Sequence, residues 1–447
     1  MNSRREFIKK TALASAGLAV SANAVSAASY RRILGANDRV RVGIIGFSDR
    51  FRSSLAPSFA GHAKEMNFEF VGVSDIWNRR RDEAEKYFKD KESASKDFFK
   101  ARNNDELLAR KDVDAVIIST ADFQHALHCV DAVKSGRDVY VEKPFAESLE
   151  DAKLALRTVE GSKQIVQVGS QRRSAPNYHA ANEFIKSGKF GDISMVEMTW
   201  NVNQPGRWRR PDLVAQIRKE DTDWDRFQLN RPKVAWNPRY YLEFRLFYPY
   251  SSGIPGQWMS HQIDTVHWFT GLDAPRSVVA NGGVYVWKDG RTNADTFTAV
   301  FDYGPFDNKE KGFQVTYSSR MHQAAGDVKE YYYSNGGMIN LDTNQITPEG
   351  GLTAGPAKAM GMQANLLPKM ELGTAGIKME TGANTGSDPM TSMHMRNWME
   401  CVRSRKQPNA PARAGFNHSV ANIMATQSLH TGKRVTWDPK KTDIVLS

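Results

Sequence analysis

Cysteine is nearly absent: Cys129 and Cys401 are the only two in 447 residues, so no disulfide framework can be read. Both fall in amphipathic helical stretches, where a buried structural thiol is expected. No zinc-finger spacing and no long Lys/Arg block occurs, which leaves nucleic-acid binding without a footprint although the chain carries a net charge of +11. No apolar run is long enough for a convincing membrane span; the stretch Thr11 to Val20 is short and rich in Ala, Ser and Gly. What is present is ordinary for a folded protein. Hydrophobic residues at 40% and charged residues at 25% exclude a disordered chain, and the length allows two or three domains at about 150 residues each.

The first residues, Ser3-Arg4-Arg5-Glu6-Phe7-Ile8-Lys9, lead into that mildly apolar stretch and then into Ala22-Asn23-Ala24 and Val25-Ser26-Ala27. Paired arginines, an apolar region and small residues in this order mark residues 1–27 as a twin-arginine signal peptide. The expected partner is the twin-arginine export machinery, and the expected location of the mature protein is the periplasm or otherwise outside the cytoplasm, free of the membrane after cleavage. Such export carries proteins already folded, so a cofactor would leave the cytoplasm bound.

Beyond the signal, Val40 to Gly46, Phe68 to Ser74, Ala115 to Ser119 and Val139 to Val141 read as buried parallel strands. Helical spacing over Arg79 to Lys89, His125 to Lys134 and Leu149 to Glu160 separates them, with Ser148-x-x-Asp151 as a capping signal. The alternation predicts an α/β domain, a doubly wound Rossmann-type parallel sheet over residues 38–163. From about Ile193 longer alternating strands follow, Ser194 to Val202, Ser277 to Trp287, Thr296 to Tyr303 and Phe313 to Ser319. They predict a C-terminal α+β domain, residues 164–447, on a large open antiparallel sheet whose exposed face would pair copies into a homo-oligomer. Residues 341–390 hold 8 of the 33 glycines and 4 of the 18 prolines with little periodicity, and read as a long loop or lid. Helices near Met393 to Arg403 and Ser419 to Leu429 close the chain.

The first strand ends in Gly46, and Phe47-Ser48-Asp49-Arg50-Phe51 follows where a dinucleotide fingerprint places its phosphate-binding turn. Only the first glycine of Gly-x-Gly-x-x-Gly is kept. Ser48 stands at the second position and Phe51 at the third, although Ser48 and Arg50 can each bond phosphate. Asp75 lies at the end of the second strand, 29 residues beyond Gly46, where a carboxylate accepts from ribose hydroxyls; a helix N-cap is the alternative. A carboxylate there would repel a 2′-phosphate and favour NAD over NADP, with Arg79, Arg80 and Arg81 close enough to oppose it.

More specific are Ser119-Thr120-Ala121-Asp122-Phe123-Gln124-His125 and Val139-Tyr140-Val141-Glu142-Lys143-Pro144. These segments resemble the glucose-fructose oxidoreductase, inositol dehydrogenase and rhizopine-catabolism (Gfo/Idh/MocA) family, in which Glu-Lys-Pro ends a Rossmann strand and a Thr-Pro-x-x-x-His turn precedes it. The likeness continues through Gln167 to Ser174, Asp223 to Asp225, His261-Gln262-Ile263-Asp264 and Arg396 to Ser404, and it is greatest toward the exported branch. It implies an NAD(P)-dependent oxidoreductase acting on a secondary hydroxyl of a sugar, glycoside or polyol. With the turn residues Gly46, Ser48, Arg50 and Asp75, it implies cofactor contacts at Thr120, Asp122, His125, Glu142 and Lys143. Gln171, Arg172, Gln257 and Asp264 would contact substrate, and Lys143 and His261 would handle protons.

Local chemistry agrees. Oxidising an alcohol needs a group that removes the hydroxyl proton, and an amine in a partly dry pocket has its pKa lowered toward that task. In the family a carboxylate stands four residues before the histidine; here Gln257 stands there and cannot take up a proton, which shortens the relay to His261, oriented by Asp264. No metal is assigned, since His261, Asp264 and His267 lack a recognised ligand spacing, and His267 reads as a packed histidine. Eleven aromatics between Trp200 and Tyr250 either stack on sugar rings or pack the segment onto the sheet. Three functions stay open: net oxidation with tightly bound NAD, a glycoside-cleaving enzyme that oxidises its substrate transiently and returns the hydride, and a non-catalytic sugar-binding protein.

Overall fold

The computed structural model describes residues 38–91, 94–373 and 389–446. The signal-like segment 1–27 lies outside them, as do residues 374–388 of the Gly- and Pro-rich stretch. The apolar runs of the first half become a six-stranded sheet in the order β3-β2-β1-β4-β5-β6. Its strands are β1 (Val40–Ile45), β2 (Phe68–Ser74), β3 (Ala94–Ala101), β4 (Ala115–Ile118), β5 (Asp138–Val141) and β6 (Val166–Val168). The pairings of β1 with β4, β2 with β3, β4 with β5 and β5 with β6 are parallel. Every residue of β4 and β5 is buried, which is why these strands are continuously apolar rather than alternating. Between strands run α1 (Ala56–Met66), α2 (Asn78–Lys91), α3 (Asn104–Leu108), α4 (His125–Lys134) and α5 (Leu149–Glu160). Ser148 Oγ accepts from Asp151 N at 3.2 Å and so fixes the start of α5. Chain connections diverge on either side of β1, so a crevice opens beyond the carboxyl ends of β1 and β4.

After α6 (Pro176–Lys186) a second sheet of ten strands has the order β14-β13-β12-β11-β7-β10-β9-β8-β15-β16. Its strands are β7 (Ile193–Asn201), β8 (Ser277–Gly283), β9 (Thr296–Tyr303), β10 (Phe313–Arg320), β11 (Val328–Ser334), β12 (Gly337–Asn340), β13 (Gln345–Thr347), β14 (Met370–Glu371), β15 (Val435–Asp438) and β16 (Asp443–Leu446). The sheet is mixed and not purely antiparallel, because β7 inserts beside β10 in parallel while pairing β11 antiparallel. The chain leaving β7 has a long excursion before β8, enough to return at either end of the sheet. That excursion carries α7 (Pro211–Gln216), α8 (Trp224–Gln228), α9 (Pro238–Leu242) and α10 (Ser260–Thr270). The segment from 341, expected as a long loop or lid, supplies the short strands β13 and β14, with β14 at the sheet edge, and α11 (Ala354–Ala359); strands of two or three residues are too short to show a period.

Along β9, Phe297, Ala299, Phe301 and Tyr303 are buried while Thr298 and Val300 are exposed, so one face of this sheet is core. α12 (Pro389–Ser404) packs on α1, and α13 (Ala412–Thr431) touches β6 and α5 as well as β8 and β15, joining the two sheets. A Cβ at Gly415 would lie 2.7 Å from Phe145 Cγ, so only glycine lets α13 come this close to the chain after Lys143. There Ser419 Oγ accepts from Ala146 N at 3.1 Å, which fixes the backbone that carries the lysine.

Candidate active site

A cleft of about 730 Å³ lies between the carboxyl ends of the parallel strands and the second sheet. At its dinucleotide end Gly46 has φ +86°, and a Cβ there would meet Thr120 Cγ2 at 2.7 Å and Ser119 O at 2.8 Å. Ser48 Oγ accepts from Phe51 N at 3.2 Å and lies 2.6 Å from Ser119 Oγ, so it caps the helix that starts at Asp49 and runs through a π-helical turn, Phe51–Leu55, into α1. Phe51 takes the third glycine's place by turning into the core against Phe70, with ring centroids 5.6 Å apart.

Asp75 lines the cleft and also organises the turn. Its two oxygens accept from Phe47 N and Trp77 N, both at 2.9 Å, and burial pushes its carboxyl pKa up. Of the two roles read from sequence, ribose acceptor and helix N-cap, the structure gives Asp75 a place on the cleft wall and two backbone N–H donors, neither of them inside the helix that follows. The three following arginines are engaged: Arg79 with Glu83 at 2.8 Å, Arg80 with Glu83 at 2.7 Å and Asp49 at 3.2 Å, and Arg81 with the Asp75 carbonyl at 2.7 Å. Thr120 Oγ1 is buried without a hydrogen-bond partner beside the cleft. A glycine-only cradle, an unsatisfied hydroxyl and a terminal carboxylate together fit a dinucleotide.

Not every expected cofactor residue reaches it. His125 lines the cleft and donates from Nδ1 to the Pro144 carbonyl at 2.8 Å, bracing the Glu-Lys-Pro loop, and burial lowers its pKa. Arg50 lines the cleft but donates to Glu142 Oε1 at 3.1 Å. Asp122, expected at the cofactor, does not line the cleft: it is fully buried and accepts from Ser251 Oγ and Gln257 Nε2, both at 2.6 Å. A buried carboxylate requires such donors, and they turn it away from solvent.

Lys143, Gln171, Arg172, Gln257 and His261 gather where the cleft meets the second sheet. Lys143 Nζ donates to the Gln257 carbonyl at 2.6 Å. Burial brings its pKa down to about 8, against the raising effect of Glu142 and Asp122 and with the help of Arg245 and Arg50. Burial, with Lys143 and Arg172 nearby, holds His261 well below its ordinary pKa, so the ring is neutral. It stacks on Trp200 at 5.7 Å between centroids, and Trp258 stacks on the same indole at 6.1 Å. The Gln257 side chain is committed twice, donating to Asp122 and accepting from Arg245 Nε at 2.9 Å. Gln171 Oε1 is unsatisfied, and Arg172 pairs with Glu330 while its guanidinium lies 5.6 Å from the Trp200 ring.

Asp264, expected at the substrate, is not among them. It is buried in the core, where Arg173 Nε and Nη2 donate to it at 2.7 and 3.1 Å, and His418 Nδ1 is 3.6 Å away. Three residues past His261 on the same helix, it faces the C-terminal helix and not the cleft. His267 is packed, with Nδ1 donating to the Leu272 carbonyl at 2.7 Å. Among the described residues no group of three or more His, Cys, Asp or Glu is placed to hold a metal ion, and no helix is long and apolar enough to cross a membrane.

Gln204 to Arg207, Arg210 and Arg245, not singled out from sequence, complete the far wall together with Trp208 and Tyr241 of the aromatic segment. The signal was the aromatic-rich segment, which divides as its two readings allow. Trp200, Trp208, Phe227, Tyr241 and Phe244 line the cleft, while Trp224, Trp236, Tyr240, Phe247 and Tyr250 pack behind it, Trp224 against Trp236 and Tyr240 against Phe247 and Tyr250.

Residues 40–170 match the GFO_IDH_MocA family, described as an oxidoreductase family with an NAD-binding Rossmann fold. Inositol 2-dehydrogenase of Rhizobium meliloti is 32% identical over 98 residues, 22% of this chain and 30% of that protein. The enzyme of the same name from Gluconacetobacter diazotrophicus is 35% identical over 121 residues, 26% of this chain and 34% of that protein. That of Salmonella typhimurium is 26% identical over 245 residues, 54% of this chain and 66% of that protein. The chain thus spans about a third of the length of the first two relatives. Among solved structures, levoglucosan dehydrogenase in complex with NADH and levoglucosan has a TM-score of 0.62 at 15% identity, covering 89% of this chain and 99% of that one. WlbA dehydrogenase from Bordetella pertussis, in complex with NADH and UDP-GlcNAcA, has a TM-score of 0.60 at 18% identity, covering 90% and 99%. These likenesses extend the shared fold over both sheets. The likeness to the Gfo/Idh/MocA oxidoreductase family thus rests on residues 40–170, the parallel-sheet part of the chain.

Proposed function

We propose that the chain is an NAD-dependent oxidoreductase that oxidises a secondary hydroxyl of a sugar or polyol, with Lys143 as the proton acceptor. The observation that carries this is the lysine itself: an amine with its pKa brought down to about 8, fixed at 2.6 Å by a backbone carbonyl, at the junction of the dinucleotide turn and an aromatic wall. NAD, when bound, accepts the hydride from the carbon that carries the hydroxyl. Lys143 takes the hydroxyl proton in its neutral form, and the Gln257 carbonyl holds Nζ in place. Arg50 offsets the Glu142 charge, which would otherwise keep the amine protonated more strongly. His261, neutral beside Lys143, can hydrogen-bond the substrate without adding positive charge. Inositol 2-dehydrogenases as relatives and sugar-binding dehydrogenases as structural neighbours support this substrate class.

Transient oxidation with glycoside cleavage is the second reading. It is favoured by Gln257, whose amide is fully engaged and cannot relay a proton outward, and by the tryptophan wall. With either reaction belong export through the twin-arginine route, a location outside the cytoplasm and NAD held through many turnovers. Purified protein supplied with inositols, sugars and glycosides, with mass detection of all products, separates the two. NADH rising in step with an oxidised product supports the dehydrogenase. Release of aglycone without net NADH supports the second reading, and neither product from NAD-loaded protein overturns both.

A further inference from the structure

After β7 the chain leaves the second sheet and, before it returns at β8, passes over the carboxyl ends of the first. Residues 210–227 are tied in sequence order to the segments that follow β1, β2, β3 and β4. Arg210 donates to Asp49 after β1, at 3.0 and 3.2 Å. After β2, Arg79 donates to Gln216 Oε1 at 2.7 Å, Trp77 faces Thr222 in an isolated antiparallel bridge, and the Ile76 carbonyl accepts from Asp223 N at 3.3 Å. Arg226 pairs with Asp105 after β3 at 2.9 Å, and Gln124 Nε2, after β4, donates to the Phe227 carbonyl at 2.8 Å. Leu213, Phe227 and Leu229 of this crossing line the same cleft as Asp75, Ile76 and Trp77.

The crossing is held differently along its length. From Trp224 onward it is packed: Trp224, Phe227 and Gln228 are buried, and Phe227 meets Phe123 with ring centroids 5.4 Å apart. Of residues 211–223 only Ile217 is buried, and α7 buries none of its six residues. Polar contacts near the surface hold this stretch, and the Arg210–Asp49 pair at its start leaves 41% and 34% of its side chains exposed. Such contacts are individually weak, so a segment that relies on them can lift as a unit while the core beneath stays packed. A cover of this kind slows entry and exit alike, because both wait for the same opening. We infer that residues 211–223 form a strap over the Asp75 end of the cleft, hinged at Arg210 and Trp224, which must lift before a dinucleotide enters or leaves. The inference rests on the cleft holding NAD, and it names the part of the chain that keeps the cofactor in place through many turnovers.

The test follows NADH fluorescence during binding to and release from the full chain, so that no sugar and no turnover is required. Facing residues of an antiparallel bridge have Cα atoms about 4.5 to 5.5 Å apart, within the span of a disulfide, and Cys129 and Cys401 are buried and do not compete. Trp77→Cys with Thr222→Cys should therefore lock the strap on oxidation and free it on reduction. Loaded with NADH and then oxidised, this protein should release it about tenfold or more slowly than when reduced, and the empty oxidised protein should take NADH up more slowly by a similar factor. Gln216→Ala with Ile217→Ala loosens the strap, and neither side chain lines the cleft. That variant should speed association and release together by about tenfold, with Kd changed much less. Equal exchange rates in the oxidised and reduced lock, or a loosened variant whose release quickens while association stays the same, would overturn the strap and leave the dinucleotide reading standing. A parent chain that binds no NADH would remove the dinucleotide reading itself.

Discussion

At Lys143 burial and the neighbouring arginines oppose two carboxylates, and burial dominates. Since the lowered pKa of about 8 means that the neutral amine grows as pH rises, kcat/KM should climb roughly tenfold per unit below that pH and level off above it. A flat profile from pH 6 to 9 would remove the amine from the rate equation. This residue was legible because Glu-Lys-Pro is contiguous and ends a strand. Asp122 and Asp264 were not, because a carboxylate's direction depends on donors far along the chain, Ser251 and Gln257 for one, Arg173 for the other. Arg207 and Arg245 escaped for a related reason: nothing local tells an arginine facing a cleft from one facing solvent.

Among the elements, the strands buried on both faces were read nearly to the residue, since continuous apolar runs of four to seven residues have few other uses. β3 was missed; it is an edge strand carrying Lys96, Asp97 and Lys100, and its partly exposed surface lacks the apolar run. β8 stops at Gly283 instead of reaching Trp287, because Asp295 accepts from the backbone N–H groups of Tyr285, Val286 and Trp287 and folds them into a turn. The parallel pairing of β7 with β10 joins segments more than a hundred residues apart and leaves no local trace. α10 is held in register by its buried ion pair. Burial pushes the Asp264 carboxyl up, but the Arg173 guanidinium and His418 outweigh it and hold the pKa below the usual range. Asp264→Ala leaves Arg173 buried and unpaired, and should lower unfolding stability by about 3 to 5 kcal/mol in denaturant titrations. Loss of under about 1 kcal/mol would mean that the pair is replaced by water.

Across the whole molecule, the two sheets matter because they bring a dinucleotide turn and an aromatic, arginine-rich wall to opposite sides of one cleft, with α13 fixing the loop between them. If Asp75 accepts from the ribose, as proposed, then with Arg79, Arg80 and Arg81 already engaged ribose hydroxyls should be preferred to a 2′-phosphate. Calorimetry of stripped protein should show NAD binding more tightly than NADP, and the reverse order would show that these arginines exchange partners. Protein denatured directly after purification should release nicotinamide dinucleotide in near-stoichiometric amount if the cofactor travels bound; none released would make it a freely exchanging substrate.

The most direct test of the central claim is Lys143→Ala, assayed for NADH formation with the best sugar found and titrated with NAD by calorimetry. Gly46, Asp75 and Thr120 are untouched by the change, so NAD affinity should stay near that of the parent while turnover falls by about 10² to 10⁴. A variant that binds NAD normally and still forms NADH near the parent rate would contradict the assignment of Lys143 as the group that takes the proton.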